Sequence, residues 1–132
     1  SIQAAVLLEK LSIFDEELEM RNTVDSCYRK FLNNAQYLPK DYQSALALFS
    51  IVLGSREKRD DLIERLSKNN IPTVIYYKFP IHLMQAFKYL DYKKGDLPIS
   101  EKLSNNILSL PMHPYLREQD VKNIIQAIME KS

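Results

Sequence analysis

Three short apolar runs, separated by segments with helical periodicity, most restrict how this chain can fold. The first run, SALALFSIVL, covers residues 44–53 and is closed by Gly54, and the second, at 73–78, is β-branched and aromatic. The third covers 107–110 and stops at Pro111. Runs of this length with these flanking residues are typical of strands. The chain is therefore predicted to contain three short strands.

Amphipathic helical segments surround these strands. Apolar residues recur at helical spacing from Leu7 to Phe31, so residues 1–34 are predicted to form one long helix, with or without a kink. Shorter helices are predicted at 59–68, with Asn70 as its C-terminal cap, and at 82–90, 99–106 and 118–129, and a loop is predicted at 39–43. Strands separated by helices favour an α/β fold of the two-layer α+β kind, with helices on one face of a small sheet. The pattern alone leaves parallel and antiparallel sheets open.

Composition excludes several classes of partner and site. The 132 residues are 45% apolar and 27% charged with a net charge of +1, which disfavours nucleic acid and anionic membranes as partners. One cysteine, Cys27, precludes an internal disulfide, and no apolar run is long enough to span a bilayer. With no signal peptide recognised, the protein is predicted to be cytoplasmic. Two histidines give no zinc-site pattern, and two glycines cannot build a glycine-rich phosphate loop.

Five short motifs follow one another in the second half of the chain. They are Asn69-Asn70-Ile71, YYKFPIHLM at 76–84, Leu90-Asp91-Tyr92, GDLP at 95–98 and LSLPMHP at 108–114. In this order and spacing they resemble the C-terminal part of the DegT/StrS-type sugar aminotransferases, which are pyridoxal-phosphate enzymes of fold type I. The resemblance extends back to IQAA at residues 2–5, so it covers nearly the whole chain.

The resemblance implies a place within a larger enzyme. Residues 1–132 would be the C-terminal small domain, with 1–34 as a long interdomain helix and 44–132 as an α/β sandwich on a mainly antiparallel sheet of about three strands. The large domain, which holds pyridoxal phosphate through a Schiff-base lysine, would be missing, since no lysine here lies in that context. Because the chain opens at Ser1 inside a helical pattern, we expect a truncated piece that binds no cofactor and is inactive alone.

The implied activity of the parent enzyme is the transfer of an amino group, usually from glutamate, to a nucleotide-linked keto sugar. A homodimer is implied as well, with the active site near the subunit boundary. The segment 77–82 would close the substrate side of the cleft and exclude water from it.

Three residues are predicted to bind the substrate. His82 matches the second histidine of the family motif, and its imidazole can hydrogen-bond a sugar hydroxyl or a phosphate oxygen. Without the resemblance it would be interpreted as a surface histidine that opens a short helix. Tyr77 matches the family tyrosine, and Tyr76 stands where many members carry the first histidine. Alternation along a strand predicts that one of these tyrosines is buried in the core.

No catalytic, cofactor-binding or metal-binding residue is predicted in the chain. Lys78 replaces a common proline of the family motif and is interpreted as a solvated lysine at the end of a strand rather than as a Schiff-base lysine.

Two alternative hypotheses stay open. A non-catalytic regulatory or partner-binding module of the same family would lack the Schiff-base lysine and the aspartate that pairs with the pyridine nitrogen. An α/β interaction domain of other descent would bind a defined partner through its first helix. That helix is apolar on all sides at residues 4–8, so we expect it to be exposed, and prone to self-association, when the chain is isolated.

Overall fold

The structure, a computed structural model, describes residues 1–35, 42 and 44–130. Their helices are α1 (Ile2–Ser12), α2 (Phe14–Arg29), α3 (Arg56–Lys68), α4 (Pro98–Asn106) and α5 (Glu118–Met129), and their strands are β1 (Phe49–Val52) and β2 (Ile107–Leu110). Two short 3₁₀ helices, Ile81–Leu83 and Gln85–Leu90, lie between α3 and α4.

The two strands form an antiparallel pair. Phe49 lies opposite Leu110 and Ile51 lies opposite Leu108. Because side chains alternate along a strand, these four share one face, and all four are buried. The mixed α/β fold with an antiparallel sheet is therefore confirmed.

Single bridges flank the pair on both edges, and one of them lies in the predicted strand at 73–78. Val74 exchanges two backbone hydrogen bonds with Ser109 of β2, at 3.1 and 2.8 Å. On the opposite edge, Ala35 bridges to Ile51 of β1. The predicted strand at 73–78 is thus reduced to one bridge, and the sheet has two strands within the described part of the chain.

Three helices supply the rest of the core. They cover the apolar face of the sheet with the buried side chains of Val24 and Tyr28 from α2, Leu62 and Leu66 from α3, and Val121, Ile124, Ile125 and Ala127 from α5. The opposite face carries a contact between the hydroxyls of Ser50 and Ser109, 2.8 Å apart. Helices therefore pack on one face, as the sequence predicted.

The predicted helix at 1–34 is divided in two and ends at Arg29. At Ile13 the backbone leaves the helical region with φ −112° and ψ 5°. The Ser12 hydroxyl donates to the Glu9 carbonyl at 2.6 Å, a side-chain bond that competes with helical hydrogen bonding and favours a bend. Across the break, the Lys10 ammonium donates to the Glu17 carboxylate at 2.7 Å and so fixes the corner.

Helix α1 has no buried residue, although it is rich in apolar side chains. The large exposed ones are Ile2, Val6, Leu7, Leu8 and Leu11. The prediction that this face is exposed in the isolated chain is confirmed.

Helix α3 begins three residues earlier than predicted because Ser55 caps it, its hydroxyl accepting from the Lys58 N–H at 3.3 Å. It ends in a Schellman motif. Asn70 has the left-handed φ of 56°, and the N–H of Ile71 reaches back to the Leu66 carbonyl at 2.9 Å. The predicted cap at Asn70 is confirmed.

Other boundaries shift for local reasons. The run at 44–53 becomes a strand only from Phe49, because Leu46 has a left-handed φ of 51° and donates its N–H to the Ser44 hydroxyl at 3.0 Å. The predicted helix at 82–90 consists of the two 3₁₀ helices, interrupted where Met84 is extended. The predicted loop at 39–43 lies outside the described residues except for Tyr42.

Candidate functional site

The motif at 76–84 turns at Pro80, and of residues 81–84 only His82 is buried. Pro80 is extended, and its carbonyl accepts from the Leu83 N–H at 3.0 Å, which closes the first 3₁₀ helix. This turn directs His82 inward, where it is only 6% exposed. His82 is therefore not the surface histidine that its sequence context alone would suggest.

His82 is held by a carboxylate on α4. Its Nε2 lies 3.2 Å from Oε1 of Glu101, which also accepts the Gly95 N–H at 2.7 Å. The ring of Tyr92 meets the imidazole edge-on, with centroids 6.1 Å apart. Gly95 has a φ of 100°, a conformation that side chains rarely allow. One carboxylate thus ties together the turn at His82, the loop at Gly95 and the start of α4.

The other nitrogen of the imidazole has no partner. Nδ1 of His82 is buried and makes no hydrogen bond with any residue that the structure describes. Buried polar atoms in folded proteins are nearly always hydrogen-bonded, and functional sites are a recurring exception. The imidazole is therefore fixed on one side and has one free hydrogen-bonding atom on the other.

Glu101 should contribute to the pH dependence of stability. The Gly95 N–H is the main cause that holds the pKa of its carboxyl below the usual 4.5, with His82 acting in the same direction and burial opposing both. As the pH falls, the unfolded state takes up this proton first, so the stabilisation is complete above about pH 4.5 and is lost below it. We expect Glu101→Gln to flatten this part of the acid limb in urea titrations. The control is Glu19→Gln on the exposed face of α2, and equal profiles for wild type and Glu101→Gln would contradict the assignment.

The two predicted tyrosines lie outside the core. Tyr76 is 39% exposed and Tyr77 is 66% exposed, with ring centroids 5.6 Å apart in an edge-on contact. The expectation that one of them is buried is wrong, because the segment forms no strand and the alternation does not apply. The ring contact described for His82 is with Tyr92, not with either of these tyrosines.

A small pocket of about 220 Å³ opens beside the His82 turn. Its polar lining includes Arg56 and Arg59 from α3, Lys78, Lys94, and Glu101 from α4. A larger pocket of about 550 Å³ lies between the segment that follows α3, at residues 69–72, and one side of α5, and the two pockets share no lining residue. The smaller one, named here the cationic pocket, is lined by Lys78, Phe79, Pro80 and Leu83 of the motif that carries the predicted site residues, but not by those residues themselves.

The lysines of the described residues lack the burial that commonly activates a Schiff-base lysine. Such a lysine needs surroundings that make its amine nucleophilic, usually by desolvation or by neighbouring charge. Every lysine in the described part of the chain is exposed. Glu101 lines the cationic pocket, but its Oε1 is already occupied by His82 and Gly95.

The described residues contain neither a candidate metal centre nor a membrane-spanning helix. No group of three or more histidine, cysteine, aspartate or glutamate residues there could hold a metal ion. None of the helices there is both long and apolar enough to cross a bilayer.

Sequence reasoning missed Glu101, Tyr92 and Gly95 as parts of the site. Tyr92 lies within the Leu90-Asp91-Tyr92 motif and Gly95 opens the GDLP motif, which Glu101 follows by three residues. A carboxylate in the first turns of a helix, next to a glycine loop and downstream of a histidine, was the available signal. Sequence alone does not show which backbone N–H it accepts.

The sequence model of the DegT/DnrJ/EryC1/StrS aminotransferase family matches residues 1–129. The chain belongs to this family. Its members depend on pyridoxal phosphate.

Individual relatives agree with the family match. The pleiotropic regulatory protein of Geobacillus stearothermophilus is 34% identical over 133 residues, covering 98% of this chain and 36% of that protein. The UDP-2-acetamido-2-deoxy-3-oxo-D-glucuronate aminotransferase of Pseudomonas aeruginosa is 30% identical, covering 97% and 35% respectively. A solved aminotransferase of the family from Brucella abortus is 44% identical with a TM-score of 0.81, covering 96% of this chain and 34% of that one. The chain thus spans about a third of the length of these DegT-family relatives.

Proposed function

We propose that this chain is the C-terminal small domain of a pyridoxal-phosphate-dependent sugar aminotransferase. The observation that carries the proposal is the family match over residues 1–129, which includes all five motifs. The proposed reaction moves an amino group from a donor, glutamate in our view, to a nucleotide-linked keto sugar. The name of the Pseudomonas aeruginosa relative, an aminotransferase of a UDP-linked oxo-glucuronate, supports this class of substrate.

In this proposal, pyridoxal phosphate is bound by the part of the enzyme that lies outside the region matched by this chain. About two thirds of each relative lies outside the matched region. The exposure of the described lysines favours a Schiff-base lysine in that other part. The cofactor would supply the amino-transfer chemistry, and the 132 residues alone would be inactive.

The apolar face of α1 supports the place we assign to the domain. Its exposed side chains, from Ile2 to Leu11, form a surface that water would solvate poorly. We propose that this face packs on the cofactor domain, and that the active enzyme is a homodimer. A single cysteine without a disulfide suits the reducing cytoplasm, where we place the enzyme.

The site residues divide into two roles in this proposal. Tyr76 and Tyr77, which are exposed, contact the sugar substrate directly, since each phenol offers an aromatic face and a hydroxyl. His82, which is buried, positions the segment that carries them through its contact with Glu101. Its free Nδ1 is the one atom of the imidazole left to bond a substrate group, or a residue from another part of the enzyme.

The same geometry supports the proposed role of this segment in closing the substrate cleft. The segment at 76–83 is anchored at its buried end by His82 and is open at its tyrosine end. Residues placed in this way can cover the substrate and exclude water without moving the whole domain.

The proposal is tested on the native protein purified from its source. We expect a chain about three times longer than this one, with the yellow absorption of bound pyridoxal phosphate that glutamate bleaches. A native chain of only this length, colourless after pyridoxal phosphate is added, would sink the enzyme proposal.

A regulatory module of the same family is the second candidate. The observation in its favour is the name of the Geobacillus stearothermophilus relative, a pleiotropic regulatory protein that is 34% identical. A regulator need not keep the Schiff-base lysine. A longer native chain that takes up no pyridoxal phosphate would favour this candidate over the aminotransferase.

A further inference from the structure

The cationic pocket gathers more positive charge than its neighbourhood neutralises. Four cationic side chains line its volume of about 220 Å³: Arg56, Arg59, Lys78 and Lys94. The composition does not indicate this cluster of cations, since the chain as a whole has a net charge of only +1.

The pairing of these cations leaves two of them free. Asp60 serves both arginines, with its Oδ2 3.6 Å from Arg56 and its Oδ1 2.7 Å from Arg59. Lys78 and Lys94 are exposed, and neither has a carboxylate within ion-pair distance in the described part of the chain. The four cations exceed two carboxylates, Asp60 and Glu101, by two positive charges, and Glu57 reduces this excess through its electrostatic interaction with Arg56.

We propose that the cationic pocket binds a phosphate-type oxyanion. Like charges held around one small volume repel each other, and an anion in their midst relieves that repulsion. The volume equals roughly seven liquid water molecules at about 30 Å³ each, which suits an ion of pyrophosphate size. Lysine ammoniums bind phosphate oxygens as adaptable point charges, and Arg56 stands in the first turn of α3, where the helix dipole also favours an anion.

Glu101 does not prevent this binding. Its Oε1 accepts from Gly95 at 2.7 Å and from His82 at 3.2 Å, so part of its negative charge is already engaged by these two donors. Arg59 is 2% exposed, with Nη1 donating to the Ser104 carbonyl at 3.1 Å. It therefore supplies a fixed background charge, and the two free lysines supply the adaptable contacts.

The oxyanion has two conceivable sources, the diphosphate of a nucleotide-linked substrate and a free inorganic anion. The site does not rest on the proposed function, because binding of pyrophosphate is measured without any turnover. A negative result for the oxyanion site would therefore not contradict the proposed aminotransferase function, and the reverse also holds.

The test is calorimetric titration of the whole protein with pyrophosphate at low salt, where exposed charges are least screened. Replacing both free lysines, Lys78→Gln with Lys94→Gln, is expected to raise the dissociation constant by at least about tenfold, since each charge-assisted contact is worth that order. The matched control replaces Lys88 and Lys102, which are also exposed and outside the pocket. Far-UV circular dichroism confirms that both double variants are folded.

Uridine diphosphate then identifies the source. If uridine diphosphate competes with pyrophosphate in the wild type, and this competition is lost in the Lys78/Lys94 double variant, the pocket is assigned to a nucleotide-linked diphosphate. Pyrophosphate binding without such competition assigns it to a free anion. The proposal is overturned if pyrophosphate shows no saturable binding, or if the two double variants bind it equally.

Discussion

Replacing Tyr28 by alanine is expected to lower the free energy of unfolding by about 3–5 kcal/mol, as large aromatic truncations in cores do. Tyr28 is 0% exposed and stacks on Phe49 of β1 with ring centroids 4.6 Å apart. Its hydroxyl donates to the Pro111 carbonyl at 3.0 Å, just beyond β2. One side chain therefore joins α2 to both strands, and urea denaturation followed by circular dichroism measures its loss.

Tyr28→Phe is the matched control, because it keeps the ring and removes only the hydroxyl. Its expected cost is about 1 kcal/mol, the usual net value of one hydrogen bond. Burial raises the pKa of Tyr28 above its usual 10.0, so the unfolded state ionises first as the pH rises past 10. Stability is complete below that pH and falls above it, and Tyr28→Phe should remove this part of the alkaline limb. Equal losses for the alanine and phenylalanine variants would show that the ring is not the main contact.

The elements that sequence predicted well are those fixed by short-range chemistry. Helix α5 and strand β2 have the predicted bounds, because an apolar stripe of period 3.6 and a strand stopped by Pro111 are local signals. Helix α4 begins at Pro98, because a backbone N–H at the first helical position would make no hydrogen bond within the helix, so a proline there costs none. Asn70 ends α3 as expected, because few residues tolerate its left-handed backbone.

The elements that differed depend on contacts that sequence does not display. The stripe from Leu7 to Phe31 is continuous in sequence, but side-chain hydrogen bonds break the helix at Ile13. The β-branched segment at 73–78 has strand propensity, yet only Val74 pairs with the sheet. Strand propensity depends on partners in space, and among the described residues this segment pairs with Ser109 alone.

The candidate site was predicted in its position along the chain and not in its geometry. The family motif singled out His82 and the two tyrosines, but periodicity could not show that the turn after Pro80 buries the histidine and leaves both tyrosines exposed. Glu101 acts at a separation of 19 residues from His82, where no helical or strand spacing relates the two. Long-range pairs of this kind arise from the fold, so sequence patterns carry little sign of them.

Under the proposed aminotransferase function, His82→Ala in the whole protein is expected to lower kcat/KM for the sugar by about tenfold or more, while leaving the half-reaction with the amino donor unchanged. The imidazole is buried and bonded to Glu101, so its removal leaves a cavity and a carboxylate with one partner fewer. A hydrogen bond to a charged group is worth about 1.5–3 kcal/mol, and about 1.4 kcal/mol corresponds to a factor of ten. The tyrosine segment would then lose its fixed position beside the sugar, which the donor half-reaction does not require. Single-turnover measurements of the two half-reactions, made separately, give this comparison.

The difference between the half-reactions separates positioning from simple stability. A variant that only unfolds part of the enzyme lowers both rates by the same factor, whereas a displaced sugar segment lowers one. His113→Ala is the matched control, since His113 is the chain's other histidine and lies exposed beyond β2. His82→Gln should recover part of the loss, because its amide can still donate to Glu101. Equal losses in both half-reactions would leave His82 with a structural role alone, and an unchanged kcat/KM would remove it from the site.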